Sequence, residues 1–391
     1  LPNETLDRVI ASILDSGPVR LETGRKVGSD VMIEDLEKDF DAVFLGVGLM
    51  KSRDPGIEDG EGEGVEAGLS FLRRVNSGEK VDPGGKVIVI GGGNTAMDVA
   101  RCALRKGSEV TVVYRRTVNE MPAIREEIEE AEKEGVKFEF LATPSAIVRD
   151  GGKLSSVVFQ KMKLGEPDES GRRRPVPVEG ETFEMAADTL FSAIGEQTDL
   201  EGIEDRVDTE WDLIRTDGPW GRTSRAGIYA GGDVVTGAAS VVEAIAAGRK
   251  AAEAIIRTFA GEEDPEEIEE RVVGIEDINT DYFRKEKQNR VPRIPAGEVK
   301  GTFREIKTGY DAGLLEKEAQ RCSARTSPST GWSRSTRSIT IIARAAWCAS
   351  RNVRAAPFPR GRRENEEGHN GKPCRQLRCQ GFRGQGDLGL S

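Results

Sequence analysis

The chain has 391 residues, 37% of them hydrophobic, and carries a net charge of −11. At about 150 residues per domain this gives two or three domains, with enough apolar content for a sizeable core. Its single histidine, His369, excludes a Ser-His-Asp triad, a multi-histidine zinc site and a histidine general base from the first 368 residues. Cys102 alone precedes Cys322, which excludes a dithiol pair, a disulfide framework or an iron–sulfur cage from the first 321.

Residues 1–17 read as an amphipathic helix, with Leu6, Val9, Ile10, Ile13 and Leu14 at helical spacing and Gly17 as its stop. The apolar run 41–48, closed by glycine, suits a buried strand, and residues 51–84 form an acidic, glycine-rich connection with a helical piece near 66–75. From Lys86 the pattern becomes strand (86–90), helix (95–106), strand (109–114). A highly charged helix over 123–134 follows, entered through Pro122, ended by Gly135 and expected to show a solvated face. Alternating strands over 136–141, 145–149 and 154–163 come next, the last two joined by a hairpin at Asp150-Gly151-Gly152, then a polar loop over 165–180. A buried strand over 187–194 ends at Gly195, a short strand spans 227–230, and an alanine-rich helix is predicted over 238–259. No apolar run approaches the roughly 18 residues of a membrane span and no signal peptide is visible, so a soluble, cytoplasmic protein without membrane contact is expected.

A sharp change falls at Cys322. Residues 322–391 hold 13 Lys+Arg and 4 Asp+Glu, a balance of +9, which leaves 57−13 = 44 basic and 68−4 = 64 acidic residues, a balance of −20, in the rest. From Cys322 to Arg363 there are nine arginines and no Asp, Glu or Lys. Two readings stand: a basic nucleic-acid-binding tail, or out-of-frame sequence joined to a genuine domain. Basic tails mix lysine with arginine, so the second is preferred and no nucleic-acid partner is expected.

The chemistry is concentrated at Gly91-Gly-Gly93-Asn94-Thr95-Ala96, between a strand and a helix. Gly91 permits the tight turn, Gly93 lets backbone approach a pyrophosphate, and Ala96 keeps helix close to strand. The helix N-terminus attracts the phosphates. A glycine turn that merely packs is the alternative. An NAD-selective unit places Asp or Glu at the end of the second strand; here Arg115 and Arg116 stand there, which suits a 2′-phosphate and favours NADPH over NADH. The alternative is a pair of solvated charges. A second group, Gly231-Gly232-Asp233 followed by Ala238-Ala239-Ser240-Val241, offers a carboxylate for a polyol hydroxyl and helix amides for a ring that becomes anionic on reduction. Equally, Asp233 could cap the next helix.

These motifs, with Phe40-Asp-Ala-Val-Phe-Leu45, Val112-Val-Tyr-Arg-Arg116, Glu120-Met-Pro-Ala123 and Ala193-Ile-Gly195, occur in an order that resembles the small (β) subunit of glutamate synthase and its relatives among FAD-dependent NAD(P)H oxidoreductases. The resemblance covers about residues 1–321 and implies an α/β flavoprotein with two dinucleotide-binding domains, a Rossmann-like NADP-binding domain inserted in an FAD-binding domain. It implies these boundaries: 1–81 partial FAD-binding domain and connector, 82–197 NADP-binding domain, 198–260 C-terminal part of the FAD-binding domain, 261–321 linker and tail. Gly91, Gly93, Asn94, Thr95, Ala96, Arg115 and Arg116 would hold NADPH; Asp233 with the helix start would hold FAD, and Gly195, Gly232, Ala239, Ser240 and Val241 complete the cofactor-binding set. The implied activity takes hydride from NADPH to FAD and passes electrons to an iron–sulfur partner, such as a glutamate synthase large subunit. No metal and no acid–base residue is assigned, because the cofactors carry the chemistry.

The resemblance also has departures. The glycine fingerprint that holds the FAD pyrophosphate is expected upstream of Leu1, as are iron–sulfur ligands, in segments outside this sequence. The alternatives are an electron-input subunit of another reductive complex, or a catalytically silent NADP(H)-binding remnant that does not hold FAD.

Overall fold

The computed structural model describes residues 3–57, 60–167, 171–265, 277 and 286–321; the basic segment 322–391 lies outside them. At its centre is a five-stranded parallel sheet in the order Val65–Ala67, Thr189–Ser192, Lys86–Ile90, Glu109–Tyr114, Lys137–Phe140. The strand Lys86–Ile90 is apolar on both faces because both are covered. Val87 and Val89 join Phe71, Phe191 and the helix Asn94–Lys106 in one core, while Ile88 and Ile90 join Leu154, Val157 and Phe159 in another. The first core lies under the helices Gly68–Asn76, Asn94–Lys106 and Arg125–Glu134. The second lies against a three-stranded antiparallel sheet of Ala142–Asp150, Lys153–Pro167 and Arg173–Ala186.

That antiparallel sheet corrects the polar loop expected over 165–180. The strands pair from Ser156↔Ala186 out to Pro167↔Arg173, so they form one long hairpin arm. Its outer half has little buried apolar surface to announce it; cross-strand pairing sustains it instead.

Much of the remaining described chain builds a smaller unit. Val43–Leu45 pairs in parallel with Ile228–Ala230, over a core of Ile33, Leu200, Ile203, Val207, Ile214 and Val234. The alanine-rich helix runs Val241–Ala260, starting three residues later than expected because Ser240 and Glu243 form a reciprocal cap. It buries Ala251 and Ala254 but leaves Val241 and Val242 each 75% exposed. The first helix, Asn3–Leu14, is amphipathic as expected, yet Leu6, Val9, Ile10 and Ile13 are 45–57% exposed, so its apolar stripe finds no cover among the described residues. The two units are joined where Lys51–Ser52 pairs with Glu196–Gln197, and Asp199 holds both Lys51 (2.7 Å) and Lys26 (3.0 Å) there.

The charged helix Arg125–Glu134 is solvated on one side only, where Arg125, Glu132 and Lys133 are exposed; its other carboxylates are paired. Arg101 pairs with Glu127, Glu130 and Glu134, and Arg105 with Glu134. From the C-terminal segment, Arg293 and Lys307 reach Glu126 and Glu130. These carboxylates are a docking strip for other parts of the chain. Among the described residues, no helix is long and apolar enough to cross a membrane.

Candidate functional site

A crevice of about 810 Å³ opens at the C-terminal ends of the central strands, the usual place for ligands in an open α/β sheet. Gly91 to Thr95 form one wall, and Val113 to Arg116, Ala193 to Glu196, Arg53 to Pro55 and Arg172 form others. The three glycines of the turn are glycine for different reasons. Gly91 has φ +141°, and a β-carbon on it would stand 2.1 Å from the Ala193 carbonyl oxygen. At Gly92 a β-carbon would lie 2.6 Å from the Tyr114 ring. At Gly93 it would meet nothing within 4 Å, so the missing side chain leaves the crevice open.

Gly93 is also the N-cap of the helix Asn94–Lys106, and no side chain caps that helix. Its first amides are therefore left for an outside acceptor, at the positive end of the helix dipole. The side chains next to it are engaged in holding the turn. Asn94 Oδ1 accepts from the Ile124 amide (2.9 Å), and the Gly92 carbonyl accepts from the Ala123 amide (3.0 Å). Thr95 donates its hydroxyl proton to Glu196 Oε1 (2.7 Å). Ala96 is fully buried, its β-carbon 3.3 Å from where one on Gly91 would stand.

The two arginines of the second strand part company. Arg115 is exposed at the crevice, whereas Arg116 is 7% exposed and donates from Nε to the Arg173 carbonyl (2.7 Å), tying the hairpin arm to the sheet. The arm in turn delivers Arg172 to the same crevice. Sequence reasoning missed Arg172: the run Arg172-Arg173-Arg174 was a usable signal, but the fold alone brings it to the crevice that Arg115 lines. Below them, hydrogen bonds from Thr117 hold the Glu120 carboxyl below the usual range.

The second group lies on the smaller unit. Gly232 has φ +77° and caps a single turn, Asp233–Thr236, at the end of the strand Ile228–Ala230. Asp233 is half-buried, and its carboxylate makes no hydrogen bond or ion pair with a described residue. Ser240 caps the following helix, so the capping alternative for Asp233 is not realised. Ala239, Ser240 and Val241 are exposed; Glu243 accepts the Ser240 hydroxyl and amide, which keeps its carboxyl below the usual range. Gly195 (φ +122°) lines the crevice together with Ala238, while Gly232, Asp233 and Ala239 to Val241 do not. A free carboxylate, a glycine-only backbone and exposed small residues fit a hydroxyl-bearing cofactor such as FAD. The open Gly93 and uncapped helix fit a dinucleotide phosphate.

Residues 4–248 match the family described as pyridine nucleotide-disulphide oxidoreductase. The chain is 39% identical over 338 residues to the NADP(+)-dependent formate dehydrogenase subunit beta of Moorella thermoacetica, covering 82% of this chain and 47% of that one. It is 36% identical to the NADPH-Fe(3+) oxidoreductase subunit beta of Geobacter sulfurreducens (82% and 53%) and 39% identical to the NADPH glutamate synthase small chain of Escherichia coli (61% and 54%). The chain thus spans about half the length of these relatives. Among solved structures, FprA of Mycobacterium tuberculosis in complex with NADPH has a TM-score of 0.54 at 19% identity, over 66% of this chain and 73% of that one. That likeness is one of fold, the α/β arrangement of two dinucleotide-binding units.

Proposed function

The chain belongs to the pyridine nucleotide-disulphide oxidoreductase family, whose members bind FAD and NADPH, and from that premise we propose that it is the electron-input part of an FAD-dependent NADPH oxidoreductase. NADPH is the substrate of the crevice. The helix amides from Asn94 receive its diphosphate over the open Gly93, and Arg115 with Arg172 receives the 2′-phosphate, with Arg116 buried behind them as a support. Gly91 and Gly92 keep the turn pressed against Ala193 and Tyr114 so that those amides are fixed before the ligand arrives. The Asp233 carboxylate, with the backbone of Gly232 and the start of the helix at Ala239 to Val241, would hold FAD through its hydroxyl groups and ring edge. FAD, when bound, supplies the acceptor for the hydride.

The sequence-read division is proposed with one change: the NADP-binding unit over 82–197 also takes in the strand Val65–Ala67 and the helix Gly68–Asn76, which share its sheet and core, and the rest of 1–81 (partial FAD-binding domain and connector) goes with 198–260 to the FAD-binding unit. The partner is proposed to be an electron-accepting subunit carrying iron–sulfur clusters, of the kind that the glutamate synthase small chain serves. The observation that carries the reading is the pairing of an uncapped helix N-terminus with Arg115 and Arg172 at one crevice. A second reading, an NADP(H)-binding chain that does not retain FAD, is favoured by the 75% exposure of Val241 and Val242 where the flavin site needs cover.

Anaerobic absorbance spectroscopy separates the two. The purified chain supplied with FAD is expected to keep a flavin spectrum through gel filtration and to bleach on addition of NADPH. Colourless protein that still binds NADPH supports the second reading; protein that binds neither contradicts both.

A further inference from the structure

Arg53 stands just after the crossing strand Lys51–Ser52 and was given no role by its sequence. Its amide donates to the Gly195 carbonyl oxygen (3.0 Å), and its side chain lies across Gly195, with Cδ 3.7 Å and Nε 3.9 Å from where a β-carbon would stand. Gly195 leaves that space free, and both residues line the crevice. Two carboxylates are close by, and each is committed elsewhere. Asp54 Oδ1 accepts from the Gly56 amide (2.9 Å), and Glu196 accepts from Thr95. The exposed Arg53 guanidinium makes no ion pair or side-chain hydrogen bond with any described residue. It is an anchored cation without a counter-ion, facing a crevice that suits phosphate.

The sheet order says which phosphate. The fingerprint strand Lys86–Ile90 lies between Glu109–Tyr114, which ends at Arg115, and Thr189–Ser192, which leads to Gly195. A dinucleotide with its 2′-phosphate at Arg115 therefore lays its other half toward Gly195. Thr95, in the first turn of the helix, touches Glu196, so Arg53 and the helix amides serve the same stretch of crevice. Resting on the nucleotide reading above, we propose that Arg53 is a second cationic contact for the dinucleotide, directed to the phosphate on its nicotinamide side and indifferent to the 2′-phosphate.

Equilibrium titrations of the full chain with NADPH, NADH, 2′,5′-ADP and FAD test this. Arg53→Ala is expected to weaken NADPH and NADH each by about tenfold, the loss of one charge-assisted contact. It should leave 2′,5′-ADP unchanged, since that fragment lacks the nicotinamide-side phosphate. Arg53→Lys should recover part of the loss, and the thermal midpoint should not move. Unchanged NADPH binding, a parallel loss of 2′,5′-ADP, or a change in FAD binding alone would overturn the assignment. Wild-type protein that binds none of the pyridine nucleotides removes the nucleotide reading and Arg53 with it. Normal wild-type binding with an indifferent Arg53→Ala removes only the role of Arg53.

Discussion

The two units of this chain use the same kind of sequence to different effect. The central unit closes five parallel strands between two layers, and its largest apolar residues, such as Phe71, Ile88 and Phe191, are at most 2% exposed. The smaller unit has a two-stranded pairing, and apolar residues of its long helix, Val241, Val242 and Ile245, are 67–75% exposed. The Gly91 turn thus sits on a fully packed platform, while the Gly232–Asp233 group sits on a partly covered one. Position and rigidity follow from packing, so the crevice arginines can be exposed and still be well aimed.

The contrast is sharpest at glycine. Gly91→Ala is expected to cost more than about 4 kcal/mol in urea unfolding, because the added carbon collides with backbone at an unfavourable φ. Gly232→Ala, with its nearest neighbour at 3.5 Å, should cost about 1–3 kcal/mol for a positive-φ, extended-ψ backbone that only glycine adopts readily. Equal costs would mean that the two turns are equally constrained. Truncation gives the next largest difference. Phe71→Ala removes a ring packed 4.3 Å from Phe191 and should cost about 3–5 kcal/mol, whereas Val242→Ala should stay within about 0.5 kcal/mol.

Gly93→Ala separates binding from folding. The helix cap changes by about 1 kcal/mol or less, yet the methyl group enters the open part of the crevice, and NADPH affinity should fall at least about tenfold. Affinity that stays at the wild-type level would place the diphosphate elsewhere. The smallest effect belongs to the crossing between the units. Lys51 first, and then Lys26, hold the Asp199 carboxyl down at about 2 against an ordinary 3.8. A lowered carboxyl contributes stability that is complete above its ordinary value and is lost as the pH falls through the folded one. Asp199→Asn should therefore cost less than about 1 kcal/mol at neutral pH and flatten the loss of stability between about pH 4 and pH 2.

What could be read from the sequence was what local chemistry decides. The fingerprint turn, its flanking strand and helix, and the Gly135 helix end are properties of neighbouring residues. The features that were not legible depend on contacts between distant segments. Arg172 reaches the crevice only because the hairpin arm folds back onto Arg116. Glu196 meets Thr95 across 101 positions, and the acidic face of Arg125–Glu134 is covered by Arg101 and by Arg293 and Lys307 from the C-terminal segment. Charge patterning alone reads such a face as solvated. The reciprocal Ser240–Glu243 cap was a local signal, Ser-x-x-Glu, that the alanine-rich run obscured.

The central claim is that a dinucleotide docks at the Gly91 turn with its 2′-phosphate on Arg115. Binding constants of NADPH and NADH, measured side by side on the wild-type chain and on Arg115→Gln, test it most directly. The expected result is a loss of about 10- to 100-fold for NADPH, the worth of one charge-assisted phosphate contact, with NADH unchanged. Equal losses for the two nucleotides, or none for either, would contradict it.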